Sequence, residues 1–437
     1  MLTSYHQSMS KFFTWSDVSE IFWEFEDQFS LIDLDIQGVK VWQRIRPNIF
    51  SEVLKKTLEL SEFQETRARS NTFKNIIRLV KNSVLSNPYF SSKKDVLFFP
   101  HERVKKIEGD YYDIYTKYLI DEYSGKNILV LEKPYMFKHY SEKNKDVCYL
   151  DFAILWTSIS RKLIKVNYNK TEQSFILKLN HDFQEKFGFQ LDFFNLFTQS
   201  IKVHIAYYKF YKTLFKKLTP KKIFLVVSYG QSGLIQAAKE NSIEVIELQH
   251  GTFSKYHMGY SYPNRIKEID YFPDKLLVWN QYWKDLIKLP IAYENIKIYP
   301  FKFQENELKK YKDEKKIDKQ VVVLSQGPLS NMMSKMILDN FDFFEDKTIK
   351  YKLHPGEFNR YDKYPYLQEL LKKQNVELIL QTDLYKLLAQ SEYQVGVSST
   401  ALYEGLEFNL KTILLDLPSI EYMEKLINER KIYKVLN

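Results

Sequence analysis

Apolar positions recur every three or four residues through residues 1–90, most clearly in "SEIFWEFEDQFSLI" and "NIFSEVLKKTLELSEF". This spacing predicts a helical N-terminal extension. The period then changes. "DVLFFP", Asp95–Pro100, is a short apolar run that predicts a buried strand. A charged loop, "HERVKKIEGDYYDIY", follows it, and then a second strand at "NILVLEK", Asn127–Lys133. Residues 183–217 read as one long helix. Beyond them the alternation is regular: strand "KIFLVVSYG", helix "QSGLIQAAKENS", strands "IEVIELQ" and "DKLLVWN", helix "QYWKDLIKL", strand "IKIYP". A charged segment without glycine, "KFQENELKKYKDEKKIDKQ", has the composition of a linker or an exposed helix. The alternation then restarts with "VVVLSQG", a helix from Leu329, "TIKYKLHPGE", a helix near Tyr366–Gln374, "VELIL", "YQVGVSS" and "KTILLDL". Short apolar strands alternating with helices predict parallel sheets covered on both faces. The pattern occurs twice, so the expected class is α/β, with two doubly wound domains facing a cleft. The expected boundaries are 1–90 for the helical extension, 91–302 for the first domain and 303–437 for the second.

A chain of 437 residues exceeds one ordinary core, in keeping with two domains. With 44% hydrophobic and 16% aromatic residues it is globular rather than disordered. Apolar runs such as "IFLVV" fall well short of the roughly 18 residues that span a bilayer, and "MLTSYHQSMSKFF" lacks the apolar core of a signal peptide. One cysteine, Cys148, excludes an intrachain disulfide and fits a reducing compartment. A cytoplasmic protein is expected, peripheral to the inner face of the cytoplasmic membrane if it meets one. The formal charge is +9, but no nucleic-acid-binding module accompanies it, so nucleic acid is not an expected partner. A cleft for a phosphorylated donor, or attraction to an anionic membrane surface, accounts for the sign equally well.

Candidate chemistry sits at strand ends. Ser398, Ser399 and Thr400 follow "YQVGV" and open a helix, with Glu404 about one turn further on. Hydroxyls there ordinarily cap the helix. Yet free N–H groups, hydroxyl donors and the positive end of the helix dipole also make an anion site, and a carboxylate one turn later can accept from ribose hydroxyls. His354 ends another strand and is followed by Pro355, whose fixed φ stiffens the turn. Such an imidazole can donate to a phosphate oxygen. Ser325 and Gln326 end the first strand of the same domain and border the same cleft. In the other domain "IELQHGTFSKYHMGYSYP" places His250, Gly251 and Thr252 after a strand, then His257 and Gly259. A glycine there lets backbone approach a ligand closely. The bland alternative is a loop packed by Tyr256, Tyr260 and Tyr262.

Taken in order and spacing, "HGT", "HPGE", "SSTALYEGL" and "KTILLDLP" resemble bacterial surface-polysaccharide transferases of the GT-B fold. These include polysialyltransferases, Kdo transferases and the CDP-glycerol glycerophosphotransferases of teichoic acid synthesis. The resemblance covers about residues 220–437 and, more loosely, "DVLFFPHERVKKIEGDYYDIY". It implies that His354, Pro355, Ser398, Ser399 and Thr400 hold the nucleotide phosphate and that His250 lies in the active cleft. Two departures stand out. The teichoic acid enzymes usually carry an aromatic residue before HGT where this chain has Gln249, and "EGD" only echoes the acidic pair of the sialyltransferases.

The expected reaction is inverting, metal-independent transfer of a sugar from a CMP-, CDP- or UDP-linked donor, with no cofactor, to a glycan or lipid-linked glycan of capsule or lipopolysaccharide. Asp110, Glu108 and Asp113 are candidates for the general base, with His250 as a rival. Arg103 and Arg360 are candidates to assist. A CDP-activated polyol-phosphate transferase, a nucleotide-sugar epimerase of the same fold and a non-catalytic scaffold remain alternatives. "DLD", Asp33–Asp35, imitates a metal-binding pair but lies in a helical stretch, so no metal is assigned. "IKVHIAYYKFYKTLFKKLTPKK", Ile201–Lys222, reads either as a core helix with a solvated basic end or as a segment lying on an anionic leaflet.

Overall fold

Two parallel sheets organise the chain. The computed structural model describes residues 14–60, 72–102, 104–107, 109–135, 137–141, 145–263 and 268–437. The first sheet contains β1 (Val96–Phe99), β2 (Ile128–Glu132), β3 (Val147–Tyr149), β4 (Lys222–Val226), β5 (Glu244–Leu248), β6 (Lys275–Val278) and β7 (Ile296–Ile298). Their order is β7-β6-β5-β4-β1-β2-β3. The second sheet contains β8 (Gln320–Leu324), β9 (Thr348–Lys352), β10 (Val376–Ile379), β11 (Tyr393–Gly396), β12 (Lys411–Leu415) and β13 (Lys434–Leu436), ordered β10-β9-β8-β11-β12-β13. Every neighbouring pair in both sheets is parallel. Each sheet therefore winds outward in both directions from its first strand, as the GT-B expectation requires. The switch points lie between β1 and β4 and between β8 and β11. Ligands of doubly wound sheets bind beyond the strand C-termini at such points.

Strand periodicity divides the core. Leu97 and Phe99 face the helices Phe193–Leu218 and Ser232–Glu240, while Val96 and Phe98 face the other side, where Phe98 stacks on Phe224 at 5.0 Å. In the second sheet Val321 and Val323 fall in one cluster and Val322 and Leu324 in the other. The continuous apolar runs that signalled strands follow from this two-sided burial.

The helices Trp15–Gln28 and Val41–Thr57 pack against Lys170–Phe187, Phe193–Leu218 and the loop after β5. The segment "KFQENELKKYKDEKKIDKQ" begins with a helix, Lys302–Lys310, anchored by buried Phe303. The long helix expected over 183–217 is two helices. Gly188 closes the first in a left-handed conformation at φ 76°. Asp192 then starts the second by accepting from the Asn195 N–H at 3.0 Å. In Ile201–Lys222 the apolar residues Phe210, Leu214, Phe215 and Leu218 are buried, which makes this the core helix and leaves it no apolar outer face. Among the described residues no helix is long and apolar enough to cross a membrane.

Candidate active site

The second sheet gathers its three candidate strand ends through Gln326 and the buried Glu357. Gln326, after β8, reaches across the switch point. Its Oε1 accepts from the Ser398 N–H at 2.8 Å and its Nε2 donates to Ser398 Oγ at 3.2 Å. Ser325 donates to the buried Glu357 carboxylate at 2.8 Å, and the same carboxylate accepts from the His354 N–H at 2.9 Å. β9 and β11 flank β8, so His354 and Ser398 lie two strand spacings apart, roughly 10 Å. His354 Nδ1 accepts from the Gly356 N–H at 3.1 Å, so a neutral ring carries its proton on Nε2 and is a donor there. Pro355 opens the short turn beyond it.

Ser399 occupies the N-cap of the helix Thr400–Glu407, yet its hydroxyl makes no capping bond. That hydroxyl is buried and has no hydrogen-bond partner among the described residues. The capping reading does not account for it. Thr400 Oγ1 instead accepts from the Thr252 N–H of the first domain at 3.2 Å. A Cβ built on Gly251 would stand 3.4 Å from the same oxygen. The HGT turn of one domain therefore abuts the SST helix start of the other.

Gln249 sets that turn. It is buried, accepts from the Trp279 N–H at 3.0 Å and donates to the Gly251 carbonyl at 2.9 Å. Beneath His250 lies a buried relay. The Tyr260 hydroxyl donates to Glu247 at 2.5 Å and stands 3.3 Å from His250 Nδ1. Its one proton being committed to Glu247, Tyr260 can only accept from the imidazole. That selects the Nδ1–H tautomer and leaves Nε2 as the acceptor. Burial, reinforced by the charges of His257 and His101, lowers the His250 pKa to about 3. Burial pushes the Glu247 carboxyl up. His257 turns inward, its Nδ1 accepting from the Gly259 N–H at 3.1 Å, and burial lowers it to about 4. A Cβ on Gly259 would come within 2.5 Å of the Tyr229 ring. The aromatic loop packing and the placement of His250 are thus parts of one construction.

The first-domain switch point opens into a cavity of about 430 Å³, lined by His101, Glu102, Lys133, Tyr135, Tyr229 and Gln231 among others. His101, after β1, stacks 6.2 Å from His250. Asp113 is buried and holds its loop together, accepting from the N–H groups of His101, Tyr115 and Thr116 and from the Thr116 hydroxyl. Burial raises its pKa. Asp110 is exposed on the hairpin formed by Lys105–Ile107 and Asp110–Tyr112. Glu108 and Arg103 lie outside the described residues. From that hairpin Lys105 reaches the second domain, its Nζ 4.5 Å from the Phe303 ring and 5.2 Å from that of Tyr385. Burial pushes the Glu404 carboxyl up to about 7, against the opposing pull of the Tyr385 hydroxyl and the Lys105 charge. Arg360 lies further along, after the His354 turn, with its guanidinium 6.0 Å from the Tyr364 ring. Asp35 accepts from the Gly38 N–H at 2.8 Å, and among the described residues no cluster of three or more metal-ligating side chains is present.

His101, Lys105, Tyr229, Glu247 and Glu357 escaped the sequence reading. His101 had a usable signal, because "FFPH" is a strand end of the same grammar as "KLHP". Glu247 is a carboxylate inside an apolar strand, which is itself a signal. Lys105 had none, since only the approach of the two domains gives it a place.

No family model matches the chain. An uncharacterised protein of Methanocaldococcus jannaschii is 24% identical over 359 residues, which are 77% of this chain and 60% of that protein. The chain thus spans about 60% of the length of the curated relative it matches. Among solved structures, the UDP-GlcNAc 2-epimerase of M. jannaschii is 12% identical, covering 78% of this chain and 92% of its own at a TM-score of 0.43. A UDP-GlcNAc 2-epimerase of Neisseria meningitidis bound to UDP-GlcNAc is 14% identical over 78% and 93% of the two chains, at 0.41. A glycosyltransferase of Rickettsia africae is 12% identical over 78% and 84%, at 0.38.

Proposed function

We propose that this protein is an inverting glycosyltransferase that moves a sugar from a nucleotide-activated donor to a glycan of the bacterial cell surface. The observation that carries this reading is the meeting of the two motifs at Thr252 and Thr400. That contact brings the helix start proposed to hold the donor phosphate against the turn that carries His250, beside the first-domain cavity. The cavity gives an acceptor a place next to the donor, which supports transfer over reaction of the donor alone.

In the proposed reaction the acceptor hydroxyl attacks the anomeric carbon as the bond to the donor phosphate breaks, and the nucleotide leaves with the electron pair. His250 Nε2 takes the hydroxyl proton, with Glu247 and Tyr260 holding the ring in the tautomer that can do so. Burial lowers its basicity, and the negative phosphates of a bound donor raise it. The departing phosphate is stabilised by the helix start, the Ser399 hydroxyl and the Nε2–H of His354. Glu404 accepts from the ribose hydroxyls.

A thermal-shift panel of UDP, CDP and CMP tests the donor half. One nucleotide should stabilise the protein, and His354→Ala and Ser399→Ala should each reduce that shift. Chromatography of the matching nucleotide sugar after incubation with enzyme tests the rest. Free nucleotide formed only with an acceptor present supports transfer. Conversion of the donor to an epimer without acceptor refutes it and selects the epimerase. Turnover of CDP-glycerol instead of a nucleotide sugar selects polyol-phosphate transfer.

A further inference from the structure

The helix Thr72–Leu85 is placed inside out. At 100° per residue, Phe73, Ile76, Ile77, Val80 and Val84 form one narrow stripe, the face that a surface helix ordinarily turns to the core. Here it is the solvent side, and Phe73 is 71% exposed and Val84 60%. The helix is held to the body through its other side, where Ser83 is buried and Asn82 donates to Asp151 at 3.1 Å. It packs on the helix Asp151–Leu163, which also presents an apolar row at spacings of three and four: Trp156, Ile159 and Leu163, the last 78% exposed. Two neighbouring helices thus leave large apolar side chains in water, more than scattered surface residues explain.

Cations border this face. Lys74, Arg78, Lys81 and Lys138 line an open cavity of about 660 Å³ beside the stripe, and Arg161 and Lys162 end the second helix. Among the described residues, Glu132 and Asp151 beside this face are turned inward and grip His139 from its two ring nitrogens, at 2.9 and 2.5 Å. The exposed charge that the described residues place at the rim of the apolar stripe is positive.

We propose that these two helices dock on an anionic phospholipid bilayer, the stripe entering the interface and the basic cavity receiving lipid phosphate. An apolar face edged with Lys and Arg is what such a surface binds. Lys133 and Tyr135 line the cavity at the first switch point, and Lys138 and His139, a few residues on, line this one. A bilayer docked here therefore lies beside the acceptor side of the cleft. The docking itself does not depend on the transfer reading.

The test is flotation of the full chain with vesicles of phosphatidylcholine alone or mixed with phosphatidylglycerol. The chain should float with the mixed vesicles, weakly with the neutral ones, and less as salt rises. Val80→Asp should weaken partition by roughly tenfold or more, and Lys74→Glu with Lys81→Glu should abolish the preference for phosphatidylglycerol. All three positions are exposed, so circular dichroism and melting temperature should match the parent chain. Absence of flotation with mixed vesicles, or unchanged flotation of Val80→Asp, overturns the proposal. So does sedimentation showing a dimer that Val80→Asp dissociates while neither form binds vesicles, since the face would then be a contact between copies of this chain. Nucleotide binding is measured separately, so failure here leaves the reaction untouched and the reverse also holds.

Discussion

The N–H of Thr252 donates to Thr400 Oγ1 at 3.2 Å, joining residues 148 positions apart in the sequence and on different sheets. Thr400→Val keeps the shape and removes the acceptor. It should cost about 1 kcal/mol of stability, read as a lower melting temperature, and should weaken nucleotide binding in the same titration. A variant with unaltered nucleotide affinity would separate this contact from the donor site.

His250 and Tyr260 test the relay. His250→Asn should lower kcat by about 10²–10⁴-fold, the usual worth of a positioned base, with KM for the donor little changed. Tyr260→Phe leaves the ring in place but frees its Nδ1, so both tautomers become available. The expected result is a smaller loss, confined to kcat, with a shifted pH profile. A loss confined to KM would assign Tyr260 to substrate packing instead.

The proposed role of Glu404 predicts a pH dependence of donor binding. With its pKa raised to about 7 by burial, the carboxylate proposed to accept from the ribose hydroxyls is the minority form below that pH. Affinity for nucleoside diphosphate should rise with pH through 7, approaching about tenfold per unit on the acid side. Glu404→Gln should flatten this dependence. Isothermal titration between pH 6 and 8 reads both.

Three imidazoles with lowered pKa act on stability in acid. His204 is lowered to about 4, His250 to about 3 and His257 to about 4, each with burial as the largest cause. Their folded values lie below the unfolded one, so the unfolded chain takes up protons first as pH falls. Their contribution is complete above about pH 6.5 and is lost as pH drops toward the folded values, by at most about 1.4 kcal/mol per unit for each group. Glu404, Asp113 and Glu247, whose carboxyls burial raises, and His139, raised against burial by Asp151 and Glu132, work the other way as pH falls. His204→Asn removes one of the lowered groups, so its stability relative to the parent chain should rise as pH falls from 7 to 5, read by denaturant unfolding at both values.

Arg46 ties the N-terminal helices to the loop after β5. It is buried with Glu26 in a two-pronged pair, both bonds 2.7 Å, and donates to the carbonyls of Met258 and Ser261 at 2.6 and 2.8 Å. Arg46→Met strands the Glu26 charge and should cost about 3–5 kcal/mol. Adding Glu26→Leu should recover part of that loss. Equal destabilisation of the single and double variants by urea titration would show that the loop carbonyls, not the carboxylate, account for the loss.

Much of the candidate site was legible because its residues sit where a period ends. Ser325, His354, Ser398 and His250 each follow an apolar strand, and a parallel sheet places all such ends on one edge. Asp113 looked the same in the sequence, but folding turned it into a loop brace. Glu404 could be placed by helical spacing, though not its raised pKa, which depends on what covers it.

The order of apolar and polar residues determined the strands, the two sheets and the edge on which the chemistry gathers. These depend on repeats of two and of three to four residues, which act locally. Tertiary structure alone decided which strand-end groups became partners: the Thr252–Thr400 contact, the Glu247–Tyr260–His250 relay and the reach of Lys105 across the cleft. It also decided which amphipathic helix turned inward. Ile201–Lys222 and Thr72–Leu85 both carry apolar stripes with cations beside them; the first buries its stripe against the sheet and the second leaves its own facing water, because the surface that covers a stripe comes from residues far away in the sequence.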